Sequence, residues 1–591
     1  MWRDYGGDVT IGANVGRHAL SRRKGRGGPP DSALRRRGTA VATESGPPRH
    51  AILWRAAVLV VAGFLIYGNT LTAPFLFDDQ NSIINNAQIR DVWPLSVPLS
   101  PPRDTPVAGR PIVNLTFAVN YALHGLDLEG YHLVNIAIHL LAALTLFGLI
   151  RRTLLLPRLV DRFGGASTNL AWACALIWML HPLQTESVNY LSERTESLMG
   201  LFYFLTLYCA VRGGRGKGDG GRGRGDERST RWNVGAVVAC AIGMACKESM
   251  VTAPLIVVLY DRMFVFDSLK AAFRARRGLY GGLAASWIVL AALLSSTPRT
   301  SAGFGSGTTP WVYLLNQVEL ILRYLWLTVW PRALVLDYGL PQPFALSDVL
   351  PQAVSVVVLG LAVLVALWRW PALGFLGAWF FITLGPTSSI VPISTEVGAE
   401  RRMYLPLAGL VVLAVIGWYL LTRGRQLWGM VAATVVCALL ATGTFLRNRE
   451  YQSRLLISQT IVDRWPSGRG HFILGVELLR VGRQSDGMAE LRASAPDYPG
   501  ARYAIGTELF GQGMPDAAIV ELRAFVQALP THVNATAAHD QLGRAYLIQG
   551  RVNEAVQEFN YVLAQPDYPL RAEVMSFVEQ VMAAQGGRRP N

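Results

Sequence analysis

The sequence predicts an all-α membrane protein, a polytopic bundle of about eleven transmembrane helices followed by a solenoid of about three helical repeats. Three observations carry this. The 591 residues are 51% hydrophobic and only 16% charged, against about 25% charged for a typical soluble protein. The deficit is concentrated in long apolar runs of the kind that cross a hydrocarbon core of about 30 Å. Beyond residue 450 the material changes, becoming polar, periodic and repetitive.

In chain order, residues 1–50 carry ten Lys/Arg against four Asp/Glu and no apolar periodicity, so a disordered basic segment is expected. No cleavable leader is expected, because the first apolar run starts only near residue 51. It reads as a signal anchor with its N-terminus inside. A second basic stretch, Arg212–Arg231, has seven Lys/Arg against three acids. Both stretches are glycine-rich and flank apolar runs. They fit the positive-inside bias of cytoplasmic loops, so the net charge of +15 is not taken as a nucleic-acid signal.

The loop 72–130 reverses the balance, with three Arg against six acids, and fits the outer side. Further spans are expected at about 131–150, 168–181, 197–211, 232–246, 249–266 and 279–296, and the later ones include 349–368, 403–421 and 426–444. The apolar stretch Trp311–Trp330 is interrupted by Gln317, Glu319 and Arg323. If it crosses, there are twelve spans and a cytoplasmic tail. If it lies in the interface, there are eleven and the tail is outside, which keeps Arg369, Arg423 and Arg425 inside. The tail then repeats a phrase. Gly475, Gly482 and Leu491 have the same spacing as Gly506, Gly513 and Leu522, and as Gly543, Gly550 and Phe559. Pro496, Pro530 and Pro566 close the units. This is the tetratricopeptide pattern of two helices with small residues at their crossing. The expected domains are 1–50, a transmembrane domain over 51–446, and the repeats over 450–591.

The chemistry gathers around Phe77-Asp78-Asp79-Gln80-Asn81, just past the first span. A carboxylate pair is costly near lipid and belongs where water and a cation reach it. A solvated loop start or helix N-cap is the plain reading; a catalytic pair is the other. Adjacent like charges raise one pKa, which suits a base. His132 and His139 are seven apart and share one helix face, as metal ligands or as hydrogen-bonded glue between helices. His181 precedes a proline at a span end and is expected to cap it. Lys247 and Glu248 form a candidate internal ion pair. The cysteines, Cys174, Cys209, Cys240, Cys246 and Cys437, lack zinc spacing and read as packing residues.

Seven phrases stand in order over about 75–406: Phe77-Asp78-Asp79; Gly109-Arg110-Pro111; Tyr131-His132-Leu133-Val134-Asn135 with His139; His181-Pro182 with Glu186; Ser192-Glu193-Arg194; Cys246-Lys247-Glu248-Ser249; and Glu400-Arg401 with Tyr404-Leu405-Pro406. With the repeats behind them, the chain resembles the membrane glycosyltransferases of the C-type fold (GT-C), in the branch of transmembrane-and-tetratricopeptide O-mannosyltransferases. The resemblance implies a polyprenyl-phosphate-linked sugar donor, with mannose the sugar it points to, and an outward-facing site acting on a hydroxyl of an exported protein or glycan. Asp78 and Asp79 would be catalytic. Arg110, Arg194, Arg401 and Arg402 would meet the lipid phosphate, with Arg194 and Arg401 the preferred pair. His132, His139, Glu186, Lys247, Glu248, Glu400 and Tyr404 would support them. Arg402-Met403 departs from the family, which usually has an aromatic and an apolar residue before Tyr-Leu-Pro. Two adjacent acids make an incomplete metal site, so no cofactor is expected, with a divalent cation as the open alternative. The repeats would hold the acceptor or a protein partner. The rival readings are a non-enzymatic membrane scaffold and a transporter, and no internal symmetry favours the latter.

Overall fold

The computed structural model describes residues 49–103, 105–214, 224–297, 303–305, 307–423 and 425–586. The expected disordered segment 1–50 lies outside these apart from its last two residues, as do residues 215–223 of the basic loop. Among the described residues every regular element is helical. In the first part these are α1 Arg49–Tyr67, α2 Pro111–His124, α3 Leu128–Leu154, α4 Val160–Phe163, α5 Ser167–Met179, α6 Thr185–Asn189, α7 Arg194–Gly213 and α8 Arg224–Met244. Then come α9 Ala253–Tyr260, α10 Leu269–Ser296, α11 Pro310–Val329, α12 Leu350–Arg369, α13 Pro371–Leu384, α14 Pro406–Leu421 and α15 Gln426–Tyr451. Pro111, Pro310, Pro371 and Pro406 each open a helix, where the missing N–H is no loss and the fixed φ is already helical.

Five of these helices are long and apolar enough to cross a membrane: α1, α3, α10, α12 and α15, each with its flanking turn where it has one. A bent segment, Val160–Met179 with Pro182–Asn189, makes a sixth if counted as one span; its parts meet at 57°. The chain is therefore that of a membrane protein. The bend falls at His181, whose Nδ1 accepts the Leu183 N–H at 3.2 Å, the capping role its place before Pro182 suggests. The cysteines are free, and four of the five are buried.

The bundle has two chemically distinct ends. At one, Asn448 of α15 donates to Ile66 O and Asn69 Oδ1, both at 2.9 Å, and its own Oδ1 accepts from Asn189 at 2.7 Å. This acidic end carries Asp78 and Asp79. At the other end Arg276 grips both Asp261 oxygens at 2.7 Å, and Arg158 pairs with Asp267 and donates to Met263 O at 2.9 Å. Helix α11 stays at the acidic end along its whole length. Near its start Tyr313 donates to Thr387 O at 2.7 Å, and further on Tyr324 OH accepts the Ala399 N–H at 2.9 Å. Between them Gln317 donates to Val397 O at 2.9 Å. Three buried polar side chains thus satisfy one irregular loop, which explains Gln317 among the polar interruptions of an otherwise apolar stretch.

Shorter helices follow: α16 Arg454–Arg464, α17 Gly468–Arg480, α18 Gln484–Ser494, α19 Ala501–Gly511, α20 Pro515–Ala528, α21 Ala535–Ile548, α22 Val552–Leu563 and α23 Arg571–Gly586. The repeated glycines explain themselves here. Gly482, Gly513 and Gly550 have φ of 81°, 74° and 70°, the left-handed turn that glycine adopts without strain. Gly475, Gly506 and Gly543 sit where paired helices cross; a Cβ would come within 2.8 Å of Leu491, 2.6 Å of Leu522 and 2.4 Å of Phe559. One regularity escapes the glycine pattern. Four residues before each crossing glycine a cation-capable side chain meets a glutamate on the next helix: His471 with Glu490 at 2.6 Å, Arg502 with Glu521 at 2.9 Å, and His539 with Glu558.

These helices rest on the acidic end. Gln452 donates to Asn69 O at 2.5 Å, Arg454 to Phe75 O at 3.2 Å, Arg464 to Leu334 O at 2.8 Å, and Trp465 to Tyr338 O at 3.1 Å.

The crossing geometry gives a test. Gly543→Val drives a side chain into the Phe559 ring, and overpacking of this kind costs about 1–3 kcal/mol. The expected result is faster proteolysis within residues 535–563, with cleavage of the membrane-spanning part unchanged.

Candidate active site

The acidic loop is pinned from three sides. Asp79 is fully buried. Its Oδ2 accepts the Leu76 N–H at 2.8 Å and its Oδ1 accepts the Ser192 N–H at 2.7 Å. Burial pushes its carboxyl up to about 7, against the pull of those two amides. The Asp78 N–H donates to the Tyr190 hydroxyl at 2.9 Å. Between these anchors Phe77 is held at a φ of 22°, a conformation that bulky residues rarely adopt. Such strain persists only where the surroundings over-determine it. The result is that the Asp78 side chain is exposed to solvent from a backbone fixed on both sides. Its carboxylate makes no ion pair among the described residues. Desolvation by the protein packed around it, then the charge of Glu193, raise its pKa, while Arg401 and Arg469 pull the other way.

Beside it lies a network of buried charge. Arg401, on the turn Glu400–Met403 before α14, takes the Glu186 carboxylate with its guanidinium and, through its backbone N–H, at 2.9 Å. The same guanidinium pairs with Glu396 and meets Glu193 Oε2 at 3.1 Å. Glu193 lies 3.7 Å from Lys247 Nζ, which sits 2.5 Å from Glu196. Burial pushes Glu193 up, yet Arg401, Lys247 and Arg110 together outweigh it and hold the carboxyl at about 2. Glu248 pairs with Arg110 at 3.2 Å. Lys247 and Glu248, neighbours in sequence, thus each have a partner far along the chain.

The other expected residues fall into place around this network. Arg194 is fully buried. It donates to Asn135 Oδ1 and Asn120 Oδ1, both at 2.6 Å, to Tyr131 O at 3.1 Å and to Thr116 at 3.2 Å, and its guanidinium lies 4.5 Å over the Phe117 ring. It fastens α2, α3 and α7 together. Arg402 turns into the loop, donating to Tyr313, Thr387 O, Val397 O and Glu396 O at 3.0–3.1 Å. Glu400 accepts the Val335 N–H at 2.5 Å and the Tyr338 hydroxyl at 3.2 Å, and burial lifts its carboxyl to about 7. His132 meets Ala73 O at 2.9 Å. His139 bridges Tyr404 OH at 3.0 Å and Met179 O at 3.1 Å. The two histidines therefore tie separate carbonyls. Among the described residues no three His, Cys, Asp or Glu side chains converge as metal ligands would.

Several arginines retain unused donors, Arg90 and Arg447 among them; two others stand near the Glu193 and Glu396 charges. Arg110 Nε is buried without a partner. Arg469, at the start of α17, pairs through Nε with Asp337 at 3.1 Å and donates Nη1 to Thr395 O, and its Nη2 has no partner among the described residues. It lies close enough to Asp78 and Glu396 for their charges to be felt. The sequence reading passed over Arg469, Glu396 and Tyr190. The Ser467 cap, which accepts the Gly470 N–H at 3.0 Å, marks the start of a helix, but no local pattern ties residue 469 to residue 78.

The chain has recognisable relatives. It is similar to a protein O-mannosyl-transferase of Caenorhabditis elegans, 31% identical over 166 residues, covering 26% of this chain and 22% of that one. Protein O-mannosyl-transferase Tmtc2 of Drosophila melanogaster is 29% identical over 315 residues, 49% of this chain and 30% of the relative. Protein O-mannosyl-transferase TMTC4 of Mus musculus is 24% identical over 499 residues, 73% of this chain and 65% of the relative. These stretches span 22% to 65% of the relatives' own length. The curated relatives carry the name of the family that the ordered motifs resemble. No family model and no solved structure matches the chain.

The charge network predicts acid sensitivity. A carboxyl held below its ordinary value stabilises the fold fully above that value and loses the contribution as pH falls toward the folded pKa. For Glu193 the window runs from its ordinary 4.5 down to about 2. The unfolding midpoint of the parent should fall on acidification through this window. Glu193→Gln should start lower at neutral pH and lose part of that dependence, as thermal unfolding in detergent would record.

Proposed function

We propose that the protein is a membrane glycosyltransferase that moves a sugar, mannose by likeness to its relatives, from a polyprenyl-phosphate carrier to a hydroxyl of an exported protein or glycan. The observation that carries this reading is Asp78, a carboxylate held by its backbone, open to solvent and without an ion pair among the described residues. A base needs such a free lone pair. Asp78 takes the proton of the acceptor hydroxyl while that oxygen attacks the anomeric carbon. The bond from that carbon to the phosphate oxygen breaks, and the lipid phosphate leaves with the electron pair. A positioned carboxylate contributes about 10²–10⁴-fold to such a step. Asp79 is a positioning residue on this reading, because both its oxygens already serve backbone amides.

The leaving phosphate needs cations with donors to spare. Arg194 and Arg401 spend theirs within the protein, so we assign the contact to Arg110 and Arg469, with Arg401 as the keystone that positions Glu193. We read the reaction as metal-independent. One free carboxylate is too little for magnesium or manganese, which demand several oxygen ligands.

We read eleven membrane crossings: α1, α3, α5 with α6, α7, α8, the helical run 248–265 containing α9, α10, α12, α13, α14 and α15. Support comes from α11, which contacts one loop of the acidic end along its length. Further support comes from Arg158, Arg276 and Arg369 at the opposite end, the side that positive charge marks as cytoplasmic. On this reading Asp78 and the repeat helices share the exported face, where the repeats receive the acceptor or a partner.

Transfer of labelled mannose from a synthetic polyprenyl-phosphate donor tests the proposal. Asp78→Asn should lower kcat by about 10²–10⁴-fold. The parent rate should fall as pH drops through the raised Asp78 pKa, because the base must be ionised, and the residual rate of the variant should not follow that limb. Full activity in Asp78→Asn would overturn the assignment. Arg469→Ala should raise the donor KM about tenfold or more, the scale of a lost hydrogen bond to a charged group, with acceptor KM little changed.

A further inference from the structure

At the end of the bundle opposite Asp78, a crevice of about 750 Å³ opens between α3, α13 and α14. Its walls are hydrocarbon and aromatic, including Leu149, Leu207, Phe264, Val412 and Ile416. The polar atoms inside are already used. Thr153 and Tyr260 bond each other at 2.7 Å, and Trp379 donates to Leu405 O at 2.8 Å. The interior therefore asks nothing of a ligand except apolar surface. The mouth differs. Arg158, Arg162 and Arg369 line it. Arg158 is occupied by Asp267, whereas Arg162 and Arg369 are exposed and have no carboxylate partner among the described residues.

We infer that this crevice binds an anionic phospholipid, its acyl chains against α13 and α14 and its phosphate at Arg162 and Arg369. Two features select this occupant. The first is depth. Along α14 the lining runs from Ala408 to Leu420, about 18 Å at 1.5 Å per residue. That is close to one leaflet's share of a hydrocarbon core about 30 Å thick. The second is charge. Basic pockets between spanning helices, with apolar walls beneath, suit headgroups of net negative charge. A phosphocholine headgroup brings its own cation to the arginines and gains less. The site shares no lining residue with the surroundings of Asp78 and does not depend on the role read for that carboxylate.

The test is native mass spectrometry of the full chain released from micelles doped with equal amounts of phosphatidylglycerol and phosphatidylcholine. The parent should retain phosphatidylglycerol preferentially, by about fivefold for each arginine near the headgroup. Arg162→Gln with Arg369→Gln should bring the ratio close to one, and the paired Lys variants should keep most of it. Leu413→Trp, which fills the crevice from the α14 side, should lower retention of both lipids. Equal retention in the parent, an unchanged ratio in the Gln pair, or undiminished retention in Leu413→Trp would overturn the inference. So would preferential retention of a polyprenyl phosphate in a third doping arm.

Discussion

The structure of the acidic end depends on the guanidinium of Arg401 and the three glutamates that surround it. Glu186 comes from the short helix α6, Glu193 from the turn before α7, and Glu396 from the loop after α13. A single side chain thus fixes the relative positions of three separate segments. Taking such charges out of water is expensive, and their mutual attraction only offsets it when every member is satisfied. The network is better understood as a specifier of geometry than as a source of stability. It also sets the electrostatics next to Asp78. Glu193 stays ionised because three cations face it, and its fixed charge is one of the forces that lifts Asp78 toward the range useful to a base.

Much of this architecture was legible in the sequence because it is local. Apolar runs mark spans, prolines mark helix starts, and glycines at fixed offsets mark the crossings and turns of the repeats. The Asp78-Asp79 pair was visible as a chemical oddity after a span. What the sequence could not show is which of two adjacent acids is free. That distinction rests on Leu76 and Ser192 amides that claim Asp79, and the second comes from over a hundred residues away. Arginine roles were hidden for the same reason. Arg194 and Arg401 look alike in a motif, yet one is buried among amides and hydroxyls while the other is ringed by carboxylates. The seven-residue spacing of His132 and His139 correctly put them on one face, but helical period says nothing of the carbonyls each one meets. Arg469 carried no signal at all, since its helix reads as the opening of a repeat.

The division between a membrane part and a repeat part is therefore less clean in space than in sequence. The first helix pair after α15 is built into the acidic end rather than tethered to it. Arg469 pairs with Asp337 within reach of the Asp78 charge, Arg464 and Trp465 hold backbone carbonyls beyond α11, and Arg454 holds the carbonyl of Phe75. The strained backbone at Phe77 lies two residues from that last contact. Strain of this kind is kept only by surroundings that leave the chain no easier choice, and here part of those surroundings belongs to the tail.

That last contact imposes an order on biosynthesis. Gln452 and Arg454 clasp carbonyls that precede them by 383 and 379 positions, and chains fold from the N-terminus as the ribosome delivers them. The acid loop must therefore wait, unclasped, until translation has passed α15. A nascent polypeptide cut short before residue 452 lacks the two clasps that hold the approach to Asp78, and the loop is completed from a part of the chain made long after it.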